Sequence, residues 1–184
     1  QLEKVNGEWQ GAVWPFLKGF QSGVNRMTLG NDGQLYVGSG KVKAWAANAP
    51  AFHALERVKF KGRIPFSVKN VRALPDGFEL TFTKPLDRVT AEALEGFDVW
   101  QYRYDYHKNY GSPEFDHESR KDPFTVIDVK SVTVSADNLK AILKLAGWKP
   151  GYITAVRALD VRDVKGGKLW NDTFYYTLNQ IPQH

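Results

Sequence analysis

The chain has 184 residues, 25 Lys and Arg against 20 Asp and Glu, a formal net charge of +5 and 42% hydrophobic residues. That length holds one large domain, or a domain with a subdomain, and the balance of charge and hydrophobicity excludes disorder as the main state. It has no Cys, which excludes disulfides, thiolate metal sites, Cys nucleophiles and c-type haem attachment within this stretch.

No apolar run approaches the roughly 18 residues of a membrane-spanning helix, so no membrane partner is expected. The basic residues are scattered and do not interleave with aromatics along a helix, so nucleic acid is not an expected partner either. The text opens at Gln1, without Met or a basic-then-apolar leader, and reads as a mature or excised piece. Aromatic residues make up 14%. β-proteins use many aromatics in their cores, but a surplus also offers flat faces with polar tips for a ligand.

In chain order, Trp9, Trp14, Phe16 and Phe20 crowd the N-terminal stretch. They would pack on the main domain, on another chain or on a ligand, and the first is expected. Asn31-Asp32-Gly33 lies between the apolar runs 27–29 and 34–38, a hairpin signal because Gly accepts positive φ. Residues 48–55 are a short helix candidate. The segment 68–74, the turn Pro75-Asp76-Gly77 and the alternation of Phe78, Leu80 and Phe82 with polar neighbours predict a second hairpin. Thr90 is expected to cap a single helical turn over 90–94. Strands are expected over 126–134, 139–145, 152–161 and 173–178, with a turn at Ser135-Ala136-Asp137-Asn138. Short strands with turns about every ten residues predict an all-β sandwich. A composition shift at Gly62-Arg63-Ile64-Pro65 places a boundary between a small β subdomain, residues 1–62, and the sandwich, residues 63–184.

Residues 100–110 are the most distinctive stretch. Trp100, Tyr102, Tyr104 and Tyr106 alternate with Gln101, Arg103, Asp105 and His107, so a strand would carry the aromatics on one face and the polar groups on the other. Such a face is either the cover of the sandwich core or an open stacking platform about 20 Å long. A mixed arrangement would bury Trp100 and Tyr102 and leave the distal tyrosines near a loop. If it binds a sugar, Trp100, Tyr104, Tyr106 and Tyr110 would supply the platform, with Arg103 and His107 among the hydrogen-bonding groups beside it. Asp105, His107, Glu114 and His117 are the alternative, an acid and imidazole set for a small hydrolase or oxidoreductase. The acidic stretch around Glu114, Asp116, His117 and Glu118 has no calcium-loop spacing and reads as a solvated loop. No nucleophile elbow, zincin motif or Walker loop is present.

From Val68-Lys69-Asn70-Val71 through Lys149-Pro150-Gly151-Tyr152 to Leu159-Asp160-Val161-Arg162-Asp163, the order of motifs resembles bacterial immunoglobulin-like and fibronectin type III-like modules. Tyr152 looks like their tyrosine corner, whose hydroxyl bonds a backbone group. A narrower resemblance rests on Gly19-Phe20-Gln21-Ser22-Gly23-Val24-Asn25-Arg26 with Asp32-Gly33-Gln34-Leu35-Tyr36-Val37-Gly38, then Lys61-Gly62-Arg63-Ile64-Pro65-Phe66, the Tyr-rich Tyr102-Arg103-Tyr104-Asp105-Tyr106 and Tyr110-Gly111-Ser112-Pro113-Glu114, and the closing Tyr176-Thr177-Leu178-Asn179-Gln180-Ile181-Pro182. These are similar to the last propeller blade and C-terminal sandwich of secreted bacterial proteins of the sorbosone and glucose dehydrogenase type, which often carry a haem domain elsewhere. The resemblance implies a place in a larger secreted or periplasmic protein; because this stretch is too short for the propeller and lacks the Cys-x-x-Cys-His haem motif, an accessory module with no cofactor or catalysis of its own is expected. Its partner would be a polysaccharide or oligosaccharide, or neighbouring domains of a parent protein.

Overall fold

The computed structural model describes residues 1–40, 51–121 and 123–183. The chain is all β, and it divides into two compact units, Gln1–Pro15 with Pro65–His184, and Phe16–Ile64. No helix among the described residues is long and apolar enough to cross a membrane.

The larger unit is a sandwich of two antiparallel sheets. One sheet comprises β6 (Val68–Leu74), β7 (Gly77–Phe82), β11 (Asp128–Val134) and β12 (Lys140–Ala146), in the order β11-β12-β7-β6. The other is built on β1 (Glu3–Val5), β2 (Glu8–Val13), β8 (Phe97–Tyr104), β10 (Thr125–Val126), β13 (Tyr152–Ala158) and β14 (Thr173–Leu178), in the order β1-β2-β14-β13-β8-β10. The short β9 (Glu114–Phe115) also pairs with β8. Alternating residues close the space between the sheets. Phe78 of β7 sits at the centre, 5.0 Å from the Tyr176 ring, 6.0 Å from Phe174 and 5.2 Å from Trp148. Tyr176 and Phe174 come from the opposite sheet, so this aromatic cluster joins the two layers; each such ring pair is worth about 0.5–1.5 kcal/mol beyond its buried area.

Three expectations are corrected. Residues 1–62 are not one subdomain, because β1 and β2 extend the large sheet of the sandwich: Tyr175 pairs with Val13 and Tyr176 with Ala12. Gln1 completes the join by offering its side-chain amide to the exposed edge of β6. Its Nε2 donates to Val71 O and its Oε1 accepts from Val71 N, each at 2.9 Å. The strand expected over 126–134 is two strands in different sheets, since the chain crosses at buried Ile127, whose N–H donates to Val99 O. The helical turn is Arg88–Ala91, capped by Asp87 rather than Thr90; the Asp87 carboxylate accepts from Thr90 N at 2.9 Å, the ordinary N-cap arrangement. Of the N-terminal aromatics in this unit, Trp14 packs against the core and Trp9 stays exposed.

The smaller unit is an antiparallel meander of β3 (Val24–Leu29), β4 (Leu35–Gly40) and β5 (His53–Val58). The expected turn joins β3 to β4, with Gly33 at φ 70°. The Asp32 carboxylate accepts from Gln34 N and the Tyr36 hydroxyl. The helix candidate over 48–55 is corrected where it is described, because residues 53–55 are strand; residues 48–50 and Trp45 lie outside the described residues.

Gly77 follows the two-residue turn at Pro75 and Asp76. It has φ 151°, and a β-carbon there would stand 1.9 Å from Leu143 O of the neighbouring strand. Gly151 has φ 83° with open space around it. Gly77→Ala should therefore cost about 3 kcal/mol through a backbone clash. Gly151→Ala should cost about 1–2 kcal/mol, from left-handed backbone strain alone. Urea denaturation of both variants checks this, and equal losses would remove the close approach as the cause.

Candidate functional site

β8 has its two faces sorted by the core. Phe97, Val99 and Gln101 point inward, and Asp98, Trp100, Tyr102 and Tyr104 lie on the outer face of the sheet. Gln101 is wholly buried, and its amide is saturated. Nε2 donates to Lys149 O at 3.1 Å and to the Thr154 hydroxyl oxygen at 2.8 Å; Oε1 accepts from Lys149 N and from His117 Nε2, both at 2.8 Å. Because that oxygen can only accept, His117 faces it with a protonated Nε2. Burial, with the Lys149 charge behind it, holds the His117 imidazole below its usual pKa, so the ring is neutral near neutral pH.

The expected tyrosine corner is corrected at this same place. Tyr152 is half-buried and meets the His117 ring edge-on at 4.5 Å, and among the described residues its hydroxyl has no backbone partner. Gln101 ties down this end of the sandwich instead.

The outer face of the large sheet is a groove of about 1270 Å³, more than the roughly 300–1,000 Å³ of an ordinary small-molecule pocket. Its floor follows from register. Val13, Tyr175, Ala155, Trp100 and Val126 lie side by side across five strands, and Thr177, Ile153 and Tyr102 form the next row. Ala155 lies between Tyr175 and Trp100 in the first row and is fully buried. Phe124 stands 6.0 Å from Trp100 and Tyr104 5.4 Å from Tyr102. Tyr102 is 7% exposed, Tyr104 49% and Tyr175 37%. Burial, then the neighbouring Tyr104 phenol, pushes the Tyr102 hydroxyl far above its usual pKa.

Polar groups sit at the two ends. At one end Arg157 binds Asp98 through Nη2 at 2.6 Å and Nε at 3.2 Å, with its guanidinium 5.8 Å from the Trp100 ring centre. At the other, the Tyr104 hydroxyl donates to Glu114 Oε1 at 3.2 Å.

Of the residues expected to form a platform, the groove therefore contains Trp100 and Tyr104. Tyr106 and Tyr110 stand exposed in the loop after β8 and do not line the groove, because the strand and its alternation end at Tyr104. Arg103 is on the opposite face. It is ion-paired with Asp105, hydrogen-bonded to Ser119 and laid over the Phe115 ring at 5.0 Å. His107 is an exposed loop residue outside the groove.

The acid and imidazole set does not converge. Asp105 is held by Arg103, Glu114 lies in the groove, and His117 is inside against Gln101. Among the described residues no group of three or more His, Asp or Glu is placed to hold a metal ion. Asp116 organises its own loop. Burial pushes its carboxyl up, but donors from Arg120 and the Glu118 N–H outweigh this and hold it below the usual carboxylate range.

Tyr175, Arg157 and Phe124 were missed in the sequence. For Tyr175 a signal existed: Phe174, Tyr176 and Leu178 alternate inward, which puts Tyr175 outward. Arg157 and Phe124 are brought to Trp100 by strand pairing and a sheet crossing, for which local text has no mark.

No family model matches the chain, and no curated protein does. Among solved structures, it is similar to the N-terminal part of the bacterial S-layer protein SbsC, with 23% identity and a TM-score of 0.45. The match takes in 65% of this chain and 25% of that one.

Two outcomes test the buried network. Gln101→Leu leaves the Thr154 hydroxyl and the Lys149 amide without a partner, and since each stranded buried group costs about 1–3 kcal/mol, a loss of at least 2 kcal/mol is expected in denaturant titration. A loss near zero would show that water replaces the amide. His117 is lowered in the folded state, so the unfolded chain takes up a proton first as pH falls through 6.5, its ordinary value, and stability should decline there. Melting temperature against pH should show that decline, and His117→Gln, which keeps a donor without titrating, should flatten it.

Proposed function

We propose that the chain is a non-catalytic accessory module of a secreted or periplasmic multidomain protein, and that it binds a polysaccharide or oligosaccharide in the groove over Trp100, Tyr175 and Tyr104. The observation that carries this reading is the register row that places two large aromatic faces on either side of Ala155, on a sheet face turned away from the core. Sugar rings stack their C–H faces on such surfaces, while their hydroxyls reach polar groups at the margins. The groove provides those groups in Arg157, Asp98 and Glu114.

The immunoglobulin-like part of the reading is supported by strand order. β6, β7, β12 and β11 follow the A-B-E-D arrangement, and β8, β13 and β14 follow C-F-G. The resemblance to secreted sugar-dehydrogenase-type proteins supplies the accessory role and the compartment.

An open groove that stacks without enclosing its ligand gives weak affinity, in about the micromolar to millimolar range. Affinity electrophoresis through gels containing a panel of polysaccharides measures this directly. At least one should retard the wild type. Trp100→Ala and Tyr175→Ala should abolish the retardation, and Tyr104→Ala should weaken it with its melting temperature almost unchanged, since that ring is half exposed. A wild type that migrates freely through every gel sinks the carbohydrate reading.

A further inference from the structure

The groove does not share the chain's overall charge. The protein as a whole carries +5, yet the groove is lined by four carboxylates, Glu95, Asp98, Glu114 and Asp128, against one guanidinium, Arg157. That guanidinium is consumed by Asp98 in a two-point contact. Asp128 is shared with Lys130 at 3.3 Å, both being well exposed. Glu95 and Glu114 have no cationic partner among the described residues.

These charges are not one cluster. Asp98 and Tyr104, with Glu114 beside it, stand at opposite ends of the outer face of β8. They are six residues and so about 20 Å apart, with Trp100 and Tyr102 between them. A ligand that satisfies this arrangement is long, lays flat faces on the floor, and repeats positive charge along its length. A uronate or sulfated glycan meets carboxylates at both ends, and a neutral glycan leaves them without a counter-charge.

Resting on the carbohydrate reading above, we infer that the groove selects a cationic glycan, a linear polymer of unsubstituted amino sugar, over neutral and acidic ones. The rings stack on Trp100 and Tyr104, and the ammonium groups pair with Glu114 at one end and with Glu95 and Asp128 at the other. These pairs are exposed, so each adds little by itself and all weaken as salt shortens the screening length.

The test uses isothermal titration of the whole chain at low salt with a glucosamine oligosaccharide, its N-acetylated counterpart, an oligogalacturonate and an oligolysine of matched length. The glucosamine oligosaccharide should bind about tenfold tighter than its N-acetylated form, the combined effect of a few exposed ion pairs. The oligogalacturonate should show no heat. Glu95→Gln with Asp128→Asn should reduce that tenfold preference to about threefold or less while leaving binding of the N-acetylated form unchanged, and Trp100→Ala should remove both. Equal binding of the two glucosamine forms overturns the charge inference but keeps the carbohydrate reading. Oligolysine binding as tightly as the sugar, and insensitive to Trp100→Ala, overturns the inference in favour of a basic peptide. No heat from any saccharide rejects the carbohydrate reading itself.

Discussion

The placement of Gln101 is the constraint on which the candidate site depends. A side-chain amide in a sandwich interior is costly unless each of its polar atoms finds a partner. Here the partners are the Lys149 backbone, the Thr154 hydroxyl and the His117 ring. They come from three different segments, and they are in reach at one register of β8 against β13, with Gln101 opposite Thr154. Slipping β8 by one residue would push Gln101 into solvent and force Trp100 and Tyr102 into the core, since side chains alternate with a period of two.

With that register set, the outer face is a consequence of strand pairing. The rows from Val13 to Val126 and from Thr177 to Tyr102 assemble residues far apart in sequence into one surface. The groove is then edged by chain that crosses between the sheets at Ile127, which carries Phe124 and Val126 to one side of Trp100. The same crossing puts Asp128 near the end occupied by Asp98. The acidic character of the groove thus arises from topology, in a chain whose total charge has the opposite sign.

One edge of the sandwich is handled by side chains. The open edge of β6 would present unpaired N–H and C=O groups, which invite pairing with another chain. Gln1 and Glu3 meet them instead: Gln1 bonds both polar groups of Val71, and Glu3 accepts from Ala73 N. Glu3 also takes a hydrogen bond from the buried Tyr176 hydroxyl, whose pKa is driven far up by burial and then by that carboxylate. The N-terminal strands are therefore bound to both layers of the sandwich, which is why they belong to it.

What the sequence determined by itself was local and periodic. Alternation placed 68–74 and 173–178 as strands, the Gly-containing turns marked two hairpins, and the pattern after Asp98 put Trp100, Tyr102 and Tyr104 on a common face, because side-chain direction in a strand depends on nothing but parity. It also made the chain all β. It did not reveal whether that common face looked inward or outward, since Phe97, Val99 and Gln101 are no more apolar as a set than the aromatics. Tertiary structure decided this, through partners for Gln101 drawn from residues 117, 149 and 154. It also decided that alternation stops at Tyr104, that Arg103 turns to Asp105 and Phe115, and that Tyr175, Arg157 and Phe124 join Trp100. The partners of Gln101 and of Trp100 come from segments distant in sequence, and they are set by which strands pair and by which buried polar atoms must be satisfied, neither of which is written in any local stretch of the chain.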